Sequence, residues 1–491
     1  MSHAKKIAEN AAWLMVATAG QKAVTFVAFT AVARLVGAQI TGEYFFAVSI
    51  TSIFVTLGDL GLTPVVIREL AADEARGRAT FARALRIKAL LVPFATFGAI
   101  FYAWITQVDA ATLFAVGLAA VFVMATDSTS LIWYAALRGR RELRFEAMGM
   151  FVGQCLTAVF GITAAYLGWG VIGLICALAV GSLWNVGWSI RKVYGLKIGP
   201  VARNMPRFRD LMQLAIPFAL AGIFVKIYSY VDSLMLRHWH GSVAVGQYAV
   251  AYKLTYALQF LPLTFVAALY PGMSNAAAND KKALKPLLEG SLRLMLLASV
   301  PLATLLSVLA PRLIPLLYGE DFSGAILPLQ ILPWVLIPIF LDFPIGSLLN
   351  ATRRAGKKTT AMGITMVVNV IANFWLVPTY GPTGAAIAGV ISFWVLFLVG
   401  WGFVRKEVGN GWLAWLLVRG LGAAAITWCL VTWLTVPMLT AFAILFAVAL
   451  MMVCAFVFQL LTLSDVVMVW RWLQSRVAPA PTEDESLHDK P

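Results

Sequence analysis

Three lysines inside long apolar segments are the residues best suited to chemistry in this chain. Lys22, Lys226 and Lys253 each lie well within a hydrophobic stretch, where a charge at the bilayer centre costs roughly 2.5–3.5 kcal/mol on insertion scales. Residues of this kind normally face a water-filled cavity or a partner rather than lipid. Because an ammonium group binds anions, the three lysines predict a binding site for an anionic substrate within the membrane.

Three carboxylates form a second set of candidates. Asp59, Asp127 and Asp342 lie in the inner halves of other apolar segments, where they could bind protons or sodium ions and couple transport to an ion gradient. The same carboxylates could instead cap broken helices or pair with arginines of the adjoining loops. These arginines are Arg68, Arg138 and Arg353. Gly61 and Pro64 follow Asp59 and predict a local break in its helix.

Two of the lysines are related by an internal repeat. Lys22 matches Lys226 at an ungapped offset of 204, and a later stretch repeats at an offset of 214. The first set of matches also includes Val27, Gly37, Gly42, Tyr44 and Ala47; the second includes Ala147, Met148, Gly149, Ala158, Phe160, Tyr166 and Gly170. A two-fold axis between the copies would place Lys22 and Lys226 opposite each other, around water or an anion. The competing interpretations are snorkelling of the lysine side chains towards the membrane surface, which is disfavoured for Lys22 near the middle of its span, and a salt bridge to Asp232.

Composition places most of the chain in lipid. Of the 491 residues, 61% are hydrophobic and 12% are charged, and the mean hydropathy is +0.83. Apolar runs long enough to cross a bilayer core of about 30 Å predict an all-α polytopic membrane protein with fourteen transmembrane helices. Their bounds are 11–35, 43–67, 88–106, 111–137, 147–167, 171–190, 211–236, 244–270, 288–310, 323–350, 359–378, 381–404, 412–435 and 438–462.

The distribution of the net charge of +15 along the chain indicates the membrane topology. Thirty-one of the 38 Lys and Arg residues fall in alternate gaps between the apolar segments or at the termini. The positive-inside rule therefore predicts that these gaps and both termini are cytoplasmic. The basic balance does not indicate nucleic-acid binding, although the loops can contact anionic membrane lipids.

The repeat and the segment count predict the domain organisation. Six segments per copy make an N-lobe at 1–196 and a pseudo-symmetric C-lobe at 210–406, joined by a cytoplasmic linker at 197–209. Two further segments at 407–465 have no counterpart in the repeat. The tail at 466–491 is Pro-rich and then acidic, which predicts disorder.

Enzymatic motifs are absent from the sequence. No phosphate-binding Walker loop, HExxH or paired CxxC occurs, and the four cysteines lie inside apolar segments without metal-ligand spacing. No gap is long enough for a soluble catalytic domain. We therefore expect a transporter that is not an enzyme, with no cofactor or metal, and with coupling to an H+ or Na+ gradient as an open alternative.

Three strings of residues carry a resemblance to a known family. Ala33-Arg34-Leu35-Val36-Gly37-Ala38-Gln39-Ile40-Thr41-Gly42-Glu43-Tyr44 is followed by Leu57-Gly58-Asp59-Leu60-Gly61-Leu62, and later by Val377-Pro378-Thr379-Tyr380-Gly381-Pro382-Thr383-Gly384-Ala385-Ala386-Ile387-Ala388. Over roughly 10–400 the chain resembles Wzx-type polysaccharide flippases. These belong to the multidrug/oligosaccharidyl-lipid/polysaccharide exporter superfamily.

The resemblance implies two six-helix lobes around a cationic cavity. Members of that family move a polyprenyl-pyrophosphate-linked oligosaccharide from the cytoplasmic to the outer leaflet of the plasma membrane of a bacterium or archaeon. Lys22, Lys226 and Lys253 would then bind the pyrophosphate, with a polysaccharide polymerase and glycosyltransferases as partners. Nearby tyrosines could stack on sugars or simply pack; they are Tyr228, Tyr230, Tyr252 and Tyr256.

The chain departs from the family pattern in two respects. It has fourteen predicted spans where twelve form the shared core, and it has lysine where peptidoglycan-precursor flippases tend to have arginine. A multidrug/cation antiporter and a peptidoglycan-precursor flippase of the same superfamily therefore remain alternatives. An antiporter for organic cations would need a mid-membrane acid, whereas the deepest charges here are basic.

Overall fold

The described part of the chain is helical. The computed structural model describes residues 3–434, except 280, 409 and 410, together with 449, 450 and 453. The helices are α1 (His3–Asp59), α2 (Leu62–Ala72), α3 (Glu74–Ile105), α4 (Ala110–Leu118), α5 (Ala125–Gly139), α6 (Leu143–Tyr166), α7 (Gly170–Gly195), α8 (Phe208–Ala257), α9 (Phe260–Asn279), α10 (Lys281–Tyr318), α11 (Ile326–Ile331), α12 (Leu336–Ala351), α13 (Ala355–Val408) and α14 (Gly411–Leu434).

Short irregular helices complete this order. A π-helical segment, Ala119–Met124, joins α4 to α5, and 3-10 segments at Glu320–Ala325 and Leu332–Val335 flank α11. Within the described ranges, ten helical stretches are long and apolar enough to cross a membrane. The chain therefore has the architecture of a multi-pass membrane protein.

Three of the ten stretches are hairpins that fold back at a glycine. Gly37 in α1, Gly241 in α8 and Gly381 in α13 have φ values of 76°, 79° and 53°, a region that L side chains rarely adopt. Each stretch has 41 to 56 residues, enough to cross the bilayer core twice. Counting two spans for each of these three gives thirteen among the described residues.

Hydrogen bonds between the two arms of α8, and between those of α13, show that the chain reverses its direction in these hairpins. The Tyr248 hydroxyl donates a hydrogen bond to the Asp232 carboxylate, although sixteen residues of straight helix would separate them by about 24 Å. Asn369 Nδ2 likewise donates to Ser392 Oγ at 3.0 Å, across the turn of α13. The predicted fourteenth span at 438–462 and the tail at 466–491 fall outside the described residues, apart from the three isolated positions.

The hairpins α1 and α8, which begin the two repeats, cross each other at matched glycines. A Cβ atom added to Gly42 would overlap the carbonyl oxygen of Ser242, and one added to Gly246 would overlap that of Ala38. The backbones of α1 and α8 therefore touch directly, at positions related by the 204-residue offset. This crossing lies next to both hairpin turns, on the side that the charge distribution predicts to be outer.

The other face is organised by a helix break and a tethered linker. As predicted, the helix of span 2 is interrupted after Asp59, where Leu60 and Gly61 have φ values of 41° and 73°. Farther along, Arg78 Nε donates to Gly199 O at 2.8 Å and Arg83 Nε donates to Pro206 O at 3.0 Å. The segment between α7 and α8 is therefore bonded to α3.

Candidate substrate-binding site

The α8 hairpin positions two of the predicted lysines. Lys226 lies on its first arm and Lys253 on its second. The bond from Tyr248 to Asp232, whose carboxylate also accepts from Ser233 N at 2.7 Å, locks the arms in register. Asp232 therefore stabilises the hairpin by joining its two arms. The salt bridge considered between Asp232 and Lys226 does not form.

Lys253 lies at the contact between α8 and α1. Its Nζ is 5.5 Å from the ring centroid of Phe29 and 5.6 Å from that of Phe45. These rings come from the two arms of α1, and their negative faces stabilise a cation. Lys253 also lines a cavity of about 200 Å³ together with Tyr44 and Gln154.

Lys226 faces a larger polar cavity formed mainly by α5, α6 and α7. This cavity, here called the N-half cavity, measures about 380 Å³. Its polar lining includes Gln21, Ser52, Asp127, Ser130, Tyr134, Arg138, Glu146, Gln154, Thr157, Ser182, Asn185 and Lys226. Gln154, Thr157 and Leu178 also line the Lys253 cavity, so the two spaces adjoin. Two cations, two carboxylates and several amides therefore surround space at membrane depth.

Asp127 is the predicted carboxylate that this cavity brings next to a lysine. It lies close enough to Lys226 of the other repeat and to the Ser182 side chain to interact electrostatically with both. The π-helical segment Ala119–Met124 ends three residues before Asp127. Such segments shift the phase of the following helix and occur often at functional sites.

Lys22 is exposed on the first arm of α1. It lies close enough to Lys253 for the two ammonium groups to repel each other. Two lysines on different helices, Lys22 on α1 and Lys253 on α8, thus contribute positive charge to one region. The head-on approach of Lys22 and Lys226, and the roles of all three lysines in substrate binding, stay predictions.

Asp59 pairs with Lys88, the first residue of the predicted apolar segment at 88–106. Lys88 Nζ lies 2.9 Å from Asp59 Oδ1, and its side chain is only 4% exposed. The same Nζ donates to the Ser128 carbonyl oxygen at 2.5 Å. Pairing with Arg68 was the wrong alternative, because Arg68 binds Glu69 at 3.1 Å.

Asp342 pairs in the same manner within the second repeat. Its Oδ2 contacts the Nζ of Lys358, and both side chains are largely buried. The alternative of Arg353 as its partner was therefore wrong, and Lys358, like Lys88, lies within a helix rather than in a loop. Arg138, the third arginine considered, makes a bidentate contact with Glu146 through Nε, at 2.9 and 2.8 Å.

A second cavity lies within α8, α12 and α13. This C-half cavity measures about 400 Å³ and is lined by Asp342 and Lys358 together with three of the four predicted tyrosines, Tyr228, Tyr252 and Tyr256. Tyr252 and Tyr256 stack with their centroids 4.2 Å apart, and Tyr228 packs edge-on against Phe393. Tyr230 is the fourth, and Lys226 Nζ lies 5.3 Å from its ring centroid.

Contacts on the predicted outer side were missed by sequence reasoning. Arg237 Nη2 binds Asp109 Oδ1 at 2.9 Å, and Arg34 Nη1 donates to Leu316 O at 2.6 Å. Both bonds join one repeat to the other. Arg34 and Arg237 lie near the ends of the equivalent first arms of α1 and α8. Their equivalent positions in the two repeats were the sequence signal from which these contacts could have been suspected.

Comparison with known proteins identifies the family. The profile described as Polysaccharide biosynthesis protein matches residues 7–277, more than half of the chain. The chain belongs to the polysaccharide biosynthesis protein family. A second profile, MatE, matches residues 217–376, which include both α8 lysines.

Relatives of this family member are named as flippases. The probable low-salt glycan biosynthesis flippase Agl15 of Haloferax volcanii is 21% identical over 388 residues, covering 79% of this chain and 81% of that protein. The probable flippase AglR of the same organism is 25% identical over 260 residues, covering 52% and 54%. The predicted resemblance to Wzx-type flippases is confirmed.

Solved structures share the fold of this family member. A structure of the lipid II flippase MurJ in an inward closed conformation has a TM-score of 0.76 at 14% identity, covering 92% of this chain and 99% of that one. An inward-facing multidrug resistance MATE family transporter of the MOP superfamily has a TM-score of 0.64 at 16% identity, covering 79% and 95%. An all-α, multi-pass transporter fold is therefore confirmed.

Proposed function

We propose that this protein is a flippase that moves a polyprenyl-pyrophosphate-linked oligosaccharide from the cytoplasmic to the outer leaflet of a bacterial or archaeal plasma membrane. The observation that carries the proposal is the placement of Lys226 and Lys253 on one hairpin, each lining a cavity at membrane depth. Diphosphate is an anion that such ammonium groups bind well. The names of the relatives support a flippase, and that of Agl15 includes glycan biosynthesis.

The charges favour an anionic substrate over an organic cation. Asp59 and Asp342 are already occupied by Lys88 and Lys358, and Asp127 lies beside Lys226. A multidrug/cation antiporter would instead need an acid available to its cargo. We further propose that Asp127 is the coupling carboxylate, since a diphosphate bound at Lys226 would change the charge that Asp127 experiences.

Flipping in reconstituted vesicles tests the proposal. Polyprenyl-diphosphate-linked glycan is supplied on one leaflet, and its appearance on the other is measured by access of a glycosidase. Lys226→Ala should reduce the rate about 10- to 100-fold, because a charge-assisted hydrogen bond contributes about 1.5–3 kcal/mol, and Lys226→Arg should retain most of it. Lys285→Ala, at a cytoplasmic lysine whose side chain is 57% exposed, is the matched control.

Two results would contradict parts of this proposal. Equal rates for Lys226→Ala and the control would exclude lysine-based recognition of the diphosphate. The same assay with an imposed H+ or Na+ gradient examines coupling. There, Asp127→Asn should abolish the dependence on the gradient, and a variant that keeps the full dependence would remove Asp127 from that role.

A further inference from the structure

The C-half cavity contains an unusual number of hydroxyl groups without partners. Tyr228, Tyr252 and Tyr256 all line it. The neighbouring Tyr248 hydroxyl donates to Asp232, but within the part of the chain that the structure describes, the hydroxyls of these three tyrosines have no hydrogen-bond partner. None of these three hydroxyl oxygens is among the fully buried side-chain atoms that lack a partner, so they are accessible from the cavity that their residues line. The cavity therefore presents three hydroxyl groups with which a polar occupant can form hydrogen bonds.

Ring packing fixes the positions of these hydroxyls. Tyr256 stacks on Tyr252, and its centroid lies 6.0 Å from that of Phe393. The Tyr228 ring meets Phe393 edge-on at 5.6 Å. Because each ring is supported by another, the hydroxyls are preorganised, and a ligand would not need to order them.

The remaining lining suits a neutral, hydroxyl-rich ligand. Gln259 and Asn350 place amides at the cavity, which both donate and accept hydrogen bonds. The charges of Asp342 and Lys358 compensate each other. Aromatic rings, amides and hydroxyls without net charge are suited to sugar hydroxyls rather than to a phosphate or an organic cation.

The α8 hairpin connects this cavity to the lysines. Lys253 is the neighbour of Tyr252, and Lys226 lies two positions before Tyr228. Consecutive helical residues point about 100° apart, so the hairpin presents ammonium groups to the N-half side and tyrosines to the C-half side. A substrate bound through its diphosphate would have this cavity within reach of its glycan.

We propose that the C-half cavity is a saccharide subsite, which binds an uncharged sugar of the substrate through the hydroxyls of Tyr228, Tyr252 and Tyr256. This proposal rests on the function proposed above. It assigns the two chemical parts of one substrate to two faces of a single hairpin. The lysines provide affinity for any polyprenyl diphosphate, and the tyrosines discriminate by the glycan.

Binding measurements on the full-length protein in nanodiscs separate these contributions. The probes are polyprenyl diphosphate alone and the same lipid bearing one or two neutral hexoses. In the wild-type protein the sugars should increase affinity. Tyr252→Phe and Tyr256→Phe should each reduce that increase about three- to tenfold, the usual contribution of one hydrogen bond, and leave affinity for the sugar-free lipid unchanged. Tyr166→Phe, whose residue is 81% exposed, is the control.

The outcomes distinguish this proposal from the one on which it rests. Lys226→Ala should weaken binding of all probes, and failure to do so counts against diphosphate recognition. A sugar-dependent increase that survives the double substitution Tyr252→Phe/Tyr256→Phe overturns the saccharide subsite, as does a wild-type protein that binds all probes equally. Removing only a hydroxyl preserves the ring stack, so the variants should remain folded.

Discussion

Individual charged residues in the membrane part of this protein are mostly compensated by a neighbour. Lys88 and Asp59 join α3 to the end of α1, and Lys358 and Asp342 join α13 to α12. The desolvation of a buried ion pair can cancel its attraction, but removing one partner leaves an uncompensated charge. These pairs therefore matter most when one member is lost.

Asp59→Asn should destabilise the protein by about 3–5 kcal/mol, because it leaves the Lys88 ammonium buried without its counter-ion. Thermal unfolding in detergent, followed by tryptophan fluorescence, measures the change. Glu289→Gln is the control, since Glu289 lies 3.9 Å from the largely exposed Lys285 and such pairs contribute at most about 1 kcal/mol. Equal shifts for both variants would show that the Asp59 pair has no structural role.

Sequence reasoning found the charged residues, but the arginines that it offered as alternative partners of the carboxylates were wrong. Hydropathy gives the depth of a residue along a span, which is why Lys226, Lys253 and Asp127 were recognised. The direction in which each side chain points depends on how helices pack, and the amphipathic signal for that is weak where both faces are apolar. Arg68 and Arg353 were near in sequence, whereas Lys88 and Lys358 were near in space.

At the scale of the helices, a glycine with positive φ allows the chain to turn in each of the three hairpins. Each of the first two hairpins has a pair of matched glycines near its turn, Gly37 and Gly42 in α1 and Gly241 and Gly246 in α8. The two members of each pair have different roles, because Gly37 and Gly241 have positive φ, while Gly42 and Gly246 are helical and allow α1 and α8 to touch. Only the packing of two distant segments distinguishes the two uses.

Gly246→Ala should weaken the crossing of α1 and α8, because its Cβ would overlap the backbone carbonyl of Ala38, which cannot move aside as a side chain could. We expect a loss of about 1–3 kcal/mol, typical of overpacking, in thermal unfolding. Gly290→Ala is the matched helical control, since nothing lies within 4 Å of its added Cβ. A Gly246→Ala protein as stable as this control would contradict the close crossing.

Across the whole molecule, bonds on the predicted outer side join the two repeats. Partial burial opposes ionisation of Asp109, but hydrogen bonds from Thr112 and the charge of Arg237 outweigh it and lower the pKa of that carboxyl. Because its pKa is lower in the folded protein, ionised Asp109 stabilises the folded state at every pH above the unfolded pKa of about 3.9. This stabilisation is lost only as the pH falls through the lower pKa of the folded protein. The Asp109–Arg237 bond should therefore be constant between pH 5 and 8.

Arg237→Gln should favour opening towards the outer side. In a protein with its four cysteines replaced, Ser52→Cys reports on the N-half cavity through labelling by an impermeant maleimide. The substitution should accelerate labelling about 1.5- to 5-fold, because an exposed pair contributes about 0.2–1 kcal/mol. Arg144→Gln, on the opposite side, is the control. An unchanged rate for Arg237→Gln would contradict this role.

The tethered linker determines where the two repeats can pivot. Gly199 and Pro206 are bonded to α3 by Arg78 and Arg83, and Val201 N donates to Arg78 O at 3.1 Å. Only Arg207 separates the last tethered residue from Phe208, the first residue of α8. The untethered connection between the linker and α8 is therefore one residue long. A rotation of the second repeat relative to α3 would have to be accommodated at Arg207, next to the helix that carries Lys226.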